Sequence, residues 1–575
     1  MSYLFLLFAT LGLYSFSNKI SRYVLKNNAN VIVNTFIFSF FFFLIYLLSS
    51  YLFILNISSK YFSYIFLIIV ILVIYSQRKE ILKYLKIFKS KLILNNKLLI
   101  LILIFYSFII FFPPSDEDSL RYHLAIAKKI NNGSFYSNIW LDYIAIGSQE
   151  FLSSFLLHLN LENFISYSNF LYLAFAIISN IFILKKYNKG SGFLSATILI
   201  SSPYLIALLA SQKFYFFPCF IVSYSIAYLY LDKEKNLFTI YLVLFLNIFC
   251  VISKAIFLPY LILIIIWLFF IIKGNKNKII YLFSTLFTVI VLYFPIYFIK
   301  LKIFNDPFLP YISLNSSNFD WFADFNYHLT NWNMDYTDKV KNMYLKIFLI
   351  PFKLIFPLTV SDFFKTIGIS LLFLFSFDFK KNKTLLYILI FFILSVVILN
   401  NYQTRWFLPL LIFTSIFARI NKYSFLKKIN LMQLSLVSCL IFSLGLISII
   451  SHVGLLDKKI ILNKVVSSTK VVEKINKKYK NQKFFSDLNN QYYFNNSIPI
   501  YYPNIVNKFD ANYYRRNESE AKFIIYTGRY GDIESLLFKN FDCKNYEEVG
   551  EYYYLNRRFY FVAQKKKVNL YRLTC

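Results

Sequence analysis

Long apolar runs separated by short lysine clusters divide this sequence, and that pattern decides what the chain can become. A bilayer core about 30 Å thick takes about 20 predominantly apolar residues per helix, fewer where the bilayer thins. About fourteen runs approach that length, near residues 2–16, 31–55, 61–76, 97–112, 163–184, 192–210, 214–231, 237–251, 255–272, 279–299, 363–377, 384–400, 406–419 and 431–451. Across 575 residues, 58% are hydrophobic and only 15% charged, too apolar for a soluble protein of this length. The pattern predicts an α-helical polytopic membrane protein. The first run, MSYLFLLFATLGLYSFSNKI, lacks a basic leader and a small-x-small cleavage site, so it reads as a retained span rather than a signal peptide.

The net charge of +33 would suggest nucleic acid in a soluble protein. Here the lysines sit between apolar runs, where positive charge marks the cytoplasmic side, and no nucleic-acid partner is expected. One set of alternate loops holds NKISRYVLK, the stretch Arg78–Lys97 with its seven basic residues, KKYNK, DKEK, KGNKNK, DFKKNK and RINKYSFLKK. That set is expected to be cytoplasmic. The opposite set holds two long loops, 113–162 and 300–362, and short turns at Lys213, Lys254 and Arg405, all expected to face outward.

Three regions follow. Residues 1–96 are N-terminal spans, 97–451 hold the outward loops, and 452–575 form a tail in which apolar spans stop. In the tail, KVVSSTKVVEKINKKY has a helical amphipathic pattern, and KFFSDL, AKFIIYTG, EYYYLN and FYFVAQ have strand-like length and composition. A small α/β domain is expected there, large enough to hold its own core. The five cysteines form no CxxC pair and no metal-ligand spacing with the four histidines. Cys219, Cys250 and Cys439 lie in apolar runs and read as packing residues, whereas Cys543 and Cys575 could pair in an oxidising compartment.

The chemistry concentrates in FFPPSDEDSLRYHLAIAKKI, residues 111–130, where Asp116, Glu117 and Asp118 follow an apolar run and two prolines. Proline ends the helix, and three carboxylates then open the first outward loop. Charges in such a place can simply anchor a helix at the interface. Tyr122 and His123 follow within two turns, and SNIWLDYIAIGSQEFLSSFLLHL reads as an amphipathic helix lying in the interface. The second outward loop, SSNFDWFADFNYHLTNWNMDYTDKVKNMY, is dense in aromatics, Asp and Asn, suited either to sugar stacking or to an interfacial belt.

An outward acidic loop after a transmembrane helix, a nearby YHL and amphipathic helices resemble the GT-C glycosyltransferases, the multi-spanning enzymes that use polyprenyl-phosphate-linked sugars. VISKAIFLPYLILII, with Lys254 at a span mouth, and NNYQTRWFLPLLIFTSIFA, with Arg405 before Trp406 where tyrosine is commoner, are similar to two further segments of that superfamily. About three apolar segments precede the span leading to the acidic loop; in the family that loop commonly follows the first span. The resemblance implies that Asp116, Glu117 and Asp118 include the catalytic base. It implies that Lys254 and Arg405 bind the donor phosphate, with Tyr122, His123, Lys213 and Gln403 as secondary substrate contacts. It further implies a glycan, lipid or protein acceptor, membrane lipid as a partner, and no required cofactor or metal, a divalent cation being unindicated. The expected location is the outer face of a cytoplasmic membrane, bacterial on the compact loops and coding bias, with the tail joining the outward loops.

The chemistry accounts for these residue types. Taking a proton from an acceptor hydroxyl needs a base, and a departing phosphate needs cations. Two other readings stay open. An O-antigen polymerase or ligase shares the spans and a large outward loop, but usually relies on loop arginines, and none lies between Lys300 and Phe363. A lipid-linked glycan transporter or flippase would favour charged or broken helices at mid-membrane depth. No GxxxxGK[ST] motif is present, which argues against an ATP-driven machine.

Overall fold

The computed structural model describes every residue except 1, 26–29, 88–96, 115, 117, 138–142, 144, 187–191, 233–235, 305, 308–342, 358–359, 378–382, 399–402, 419–423, 454–456, 467, 481, 489–490, 496, 500–520, 527–542, 556–562 and 574–575. Most of the second outward loop, part of the first and Glu117 therefore lie outside the described residues.

The apolar runs are helices. Val31–Ile54, Ser59–Ser76, Phe164–Leu184, Asn275–Phe304 and Phe425–His452 are each long and apolar enough to cross a membrane. The bent pair Gly192–Ile200 and Pro203–Leu209 makes a sixth when counted as one span, with a 66° break. Shorter apolar helices, among them Leu99–Ile109, Phe216–Leu231, Leu237–Ser253, Ala255–Ile271, Lys383–Val396 and Thr404–Phe417, complete a bundle. The chain is a multi-pass α-helical membrane protein.

Burial sorts these helices into a centre and a rim. Phe216–Leu231 is buried along nearly its whole length, and Leu237–Ser253 nearly so. They pack on one another and on Val31–Ile54 through edge-on and tilted ring contacts of Phe43, Tyr46 and Phe217 with Phe249. Ser59–Ser76 and Asn275–Phe304 instead leave Ile65, Ile69, Leu72, Phe283, Phe287 and Ile290 exposed. With lipid as the solvent an apolar rim carries no penalty, and the buried interior is where close packing occurs. Cys219 and Cys250 are buried packing residues, but Cys439 is exposed on the rim.

Three expectations change. The run 363–377 is not an α-helical span: it forms two 3₁₀ segments, Val360–Lys365 and Ile369–Ser376. Gly368 between them has φ of +84°, a conformation side chains resist. The Gln433 carboxamide fills the space where a Cβ would stand and accepts the Ile369 N–H at 2.7 Å. The predicted interfacial helix of the first loop is, in its described part Ser148–Leu157, buried on every side: Gln149 and Glu150 bond to other protein segments instead of facing headgroups. The predicted tail helix is two helices, Lys458–Val465 and Thr469–Lys478.

The tail carries five strands, β1 (Lys483–Ser486), β2 (Ser497–Pro499), β3 (Ala521–Tyr526), β4 (Cys543–Leu555) and β5 (Ala563–Leu573), in the order β2-β1-β3-β5-β4. The β1 strand runs parallel to β2 and β3, whereas β5 is antiparallel to β3 and β4. Val471, Val472 and Ile475 of the second tail helix bury against Phe484, Phe523, Ile525, Val568 and Leu570. This unit touches the membrane part through the turn Gln491–Tyr493. Tyr493 donates its hydroxyl to the Pro114 carbonyl at 3.2 Å, and Lys128 donates to the carbonyls of Tyr492 and Phe494 at 2.9 and 3.0 Å. The tail thereby rests on the segment that carries the acidic residues. Cys575 is outside the described residues, so the expected pairing with Cys543 lies outside them too.

Candidate functional site

Asp116 and Asp118 sit where the chain turns after Pro113 and Pro114. Asp116 accepts the Ser119 backbone N–H at 3.1 Å on Oδ1 and the Ser119 hydroxyl on Oδ2. Asp118 stands immediately before a single π-helical turn, Ser119–His123, which runs into helix Leu124–Asn131. Wide turns of this kind redirect side chains and recur at functional sites. Here the turn places Asp118 and His123 on one short segment.

A second segment, Ser211–Tyr215, brings Lys213 to them. Polar side chains along residues 149–169 hold it. The Gln149 amide donates to the Gln212 carbonyl and its oxygen accepts the Phe214 N–H at 3.0 Å. The Gln212 amide donates to Asn163 and Ser166, and Asn169 donates to the Lys213 carbonyl at 2.8 Å. The Gln212 backbone N–H donates to Ser119 Oγ at 2.9 Å, tying the two segments together. Lys213 Nζ then lies 3.5 Å from Asp116 Oδ1 and hydrogen-bonds Asp118 Oδ2. Buried charges persist only when paired in this way.

Arg405 arrives from the 3₁₀ turn Thr404–Phe407, with Nη1 3.9 Å from Asp118 Oδ2. Its guanidinium carbon lies 5.0 Å from the Tyr215 ring centroid. Lys254 reaches the same ring: its ammonium stands 5.5 Å from that centroid. Lys254 ends helix Leu237–Ser253 in an extended conformation before the turn Ala255–Phe257. Pro259, in the first turn of the next helix, favours that break. The Trp406 ring meets Tyr215 edge-on at 5.2 Å. A single tyrosine thus carries two cations, an arrangement that mutual repulsion opposes and a bound anion would favour.

Behind Lys254 lies a buried pair. His123 Nδ1 is 2.5 Å from Glu150 Oε1, and the two side chains are 0% and 1% exposed. Burial first, then the charge of Lys254, holds the His123 imidazole below its usual range, against the pull of Glu150. Burial pushes the Glu150 carboxyl up, but the hydrogen bond and charge of His123, the charge of Lys254 and the Gly147 N–H outweigh it and leave the group below the usual carboxylate range. The pair is therefore neutral imidazole and carboxylate, with the hydrogen on Nδ1. His123 Nε2 is buried without a hydrogen-bond partner among the described residues.

Of the residues expected from sequence, Asp116, Asp118, Lys213 and Arg405 are in one charge network, Lys254 is joined to it through Tyr215, and His123 through the π-turn. The Tyr122 ring packs on His123 at 4.2 Å between centroids. Gln403 caps the Thr404–Phe407 turn through its backbone, without a side-chain cap bond. Glu117 is outside the described residues. Sequence reasoning missed Glu150, Tyr215, Ser119, Gln149 and Gln212. Only Glu150 carried a signal: an acidic residue three positions after a helix N-cap can reach back to the cap N–H, and Glu150 Oε2 accepts the Gly147 N–H at 2.8 Å, although glycine has no side chain to supply the other half of a capping box. Among the described residues no group of three or more His, Cys, Asp or Glu could hold a metal. Comparison with protein-family models, characterised proteins and solved structures returned no match.

Proposed function

We propose that the chain is a membrane glycosyltransferase of GT-C type, moving a sugar from a polyprenyl-phosphate donor to a glycan, lipid or protein acceptor. The observation that carries this reading is the convergence of helix ends. Helices Leu99–Ile109 and Leu237–Ser253 lead into the cluster, and Phe216–Leu231 and Thr404–Phe417 begin at it. The carboxylates of Asp116 and Asp118 stand there with Lys213, Arg405 and Lys254. A donor whose tail stays in lipid presents its phosphate at that depth.

In this reading Lys254 and Arg405 take the phosphate over the Tyr215 face. Asp118, 31% exposed against 2% for Asp116, accepts the proton of the acceptor hydroxyl. The hydroxyl oxygen bonds to the anomeric carbon, the carbon–oxygen bond to phosphate breaks, and polyprenyl phosphate leaves with the electron pair, its charge held by the cations. Asp116 and Lys213 hold Asp118 in place. The site and the tail are assigned to the outer face of a bacterial cytoplasmic membrane, consistent with the distribution of basic loops.

Membranes supplied with a radiolabelled polyprenyl-phosphate sugar pool test this. Asp118→Asn, Lys254→Met and Arg405→Met should each cut transfer at least tenfold at normal abundance. Full transfer by Asp116→Asn, Glu117→Gln and Asp118→Asn alike would refute a catalytic role for the loop. One observation favours a transporter instead: the 66° break at Ser201–Ser202 is lined by a buried network of Ser201, Ser370, Asn430 and Gln433, and broken helices recur in transport sites. Movement of a labelled lipid-linked glycan across proteoliposomes, without transfer, would select that reading.

A further inference from the structure

We propose that Glu150 is the positioning residue for Lys254, the counter-charge that keeps its ammonium available to an anionic headgroup. This rests on the transferase reading above, and it adds a residue that neither the acidic loop nor the cation pair reveals.

The argument begins with backbone packing. Glu150 Oε2 accepts the Gly147 N–H at 2.8 Å, which folds Gly147 back over the start of helix Ser148–Leu157. A Cβ on Gly147 would lie 2.9 Å from the Ile252 carbonyl oxygen and 3.0 Å from that of Ser253. The loop that Glu150 organises is therefore pressed against the last two carbonyls before Lys254, so close that only glycine fits. One cap fixes both the carboxylate and the end of the helix from which Lys254 departs.

Lys254 needs such a partner. Among the described residues none makes an ion pair or side-chain hydrogen bond with its ammonium, which stands over the Tyr215 ring at 5.5 Å. Its charged neighbours are Glu150 and Asp118, which favour the charge, and Arg405, which opposes it, while burial opposes it most. Asp118 is already engaged by Lys213 and Arg405. Glu150 has no such competitor. Among the described residues the polar side chain bonded to it is that of His123, and a neutral imidazole donates a hydrogen bond without cancelling the carboxylate's charge. His123 thus orients Glu150 and leaves its field directed at Lys254. Burial holds the lysine below its ordinary range. Loss of the carboxylate moves it lower still, so the ammonium empties at a lower pH.

The test is binding of farnesyl phosphate to the purified full-length protein in detergent, from about pH 6 to about pH 10. For the wild type, binding should fall on the alkaline side as Lys254 loses its proton. In Glu150→Gln that limb should move to lower pH by about one unit or more. In Glu150→Gln with Lys254→Arg it should vanish, because a guanidinium keeps its proton throughout. An unmoved limb in Glu150→Gln, or a limb that survives in the double variant, overturns the proposal. If Glu150→Gln does not elute as a folded species, Glu150→Asp decides: withdrawing the carboxylate by one methylene should move the limb to lower pH, and an unmoved limb overturns the proposal. Absence of binding by every protein at every pH overturns the transferase reading and this proposal with it; binding with an unmoved limb overturns this proposal alone.

Discussion

Removing Lys213 is the sharpest test of the site's electrostatics. In Lys213→Met the side chain keeps its length and apolar stem, so packing is disturbed little, but two carboxylates lose their shared cation. At 3.5 Å and an effective dielectric near 20, the Lys213–Asp116 attraction is about 5 kcal/mol before desolvation is counted. Breaking a buried pair from one side costs about 3–5 kcal/mol, because the remaining charge stays buried alone. Asp116 keeps its two Ser119 hydrogen bonds, and Asp118 keeps Arg405 at 3.9 Å, so the lower end applies: about 3 kcal/mol of stability lost. Asp116→Asn in the same chain removes the stranded charge and should recover about 2 kcal/mol, a coupling well above the error of a double-mutant cycle. Unfolding of the purified protein in mixed micelles, titrated with sodium dodecyl sulfate, reads these differences. Two results would refute the reasoning. One is a Lys213→Met protein within about 0.5 kcal/mol of wild type; the other is a double variant no more stable than Lys213→Met.

Other parts of the structure give tests of the same kind. Gly147→Ala forces a methyl onto the Ile252 and Ser253 carbonyls and should cost about 1–3 kcal/mol in the same titration, while weakening farnesyl phosphate binding through Lys254. Gly368→Ala meets both the +84° φ and the Gln433 carboxamide; it should destabilise by a similar amount, and Gln433→Ala in the same chain should relieve the clash but not the backbone strain. Tyr493→Phe deletes the bond to the Pro114 carbonyl and should cost about 1 kcal/mol, read as faster limited proteolysis at the junction before the tail. Lys129 is pushed down to about 7, first by burial and then by Lys483 and Lys128. Its folded value lies below its unfolded one, so the protonation penalty on the fold is full below about pH 7 and fades as pH rises from 7 toward 10.5. Lys129→Met should therefore stabilise the protein at pH 6 and lose that advantage by pH 10, as measured by thermal unfolding.

The sequence disclosed the helical character of most apolar runs because lipid imposes one solution on such a run, the backbone having to satisfy itself internally; of about fourteen expected spans, five helices, or six counting the bent pair, are long and apolar enough to cross among the described residues. It disclosed the strands β1, β3 and β4 for a related reason, since short β-branched and aromatic strips in a polar tail have few other uses. It failed where the same composition admits two solutions. The run 363–377 is apolar enough for an α-helix, and only Gly368 and a glutamine 65 residues away select a 3₁₀ path; no local pattern shows that pairing. Ser148–Leu157 has an amphipathic sequence, but its Gln149, Ser153 and Ser154 are buried among protein. Polarity in a sequence marks a need for hydrogen bonds and leaves open whether water, headgroups or Gln212 will meet it.

The candidate site divides along the same line. Asp116, Asp118, Lys254 and Arg405 were legible as charges at span mouths, because a charge beside an apolar run is costly and so stands out. Which charges meet is a property of how helix ends converge. Lys213 read as one interfacial cation among several, yet the hydrogen bonds of Gln149, Gln212 and Asn169 to its own segment make it the partner of both aspartates. Tyr215 was invisible among 48 tyrosines, and only the fold brings two cations to its ring. Glu150 shows the limit most plainly. Its spacing from Gly147 announces a helix cap, and a cap is what it forms, but the cap faces the end of another helix more than 100 residues later. There the backbone hydrogen bond that starts one helix also places a negative charge beside Lys254, so a local folding signal and a long-range electrostatic one are written in the same carboxylate.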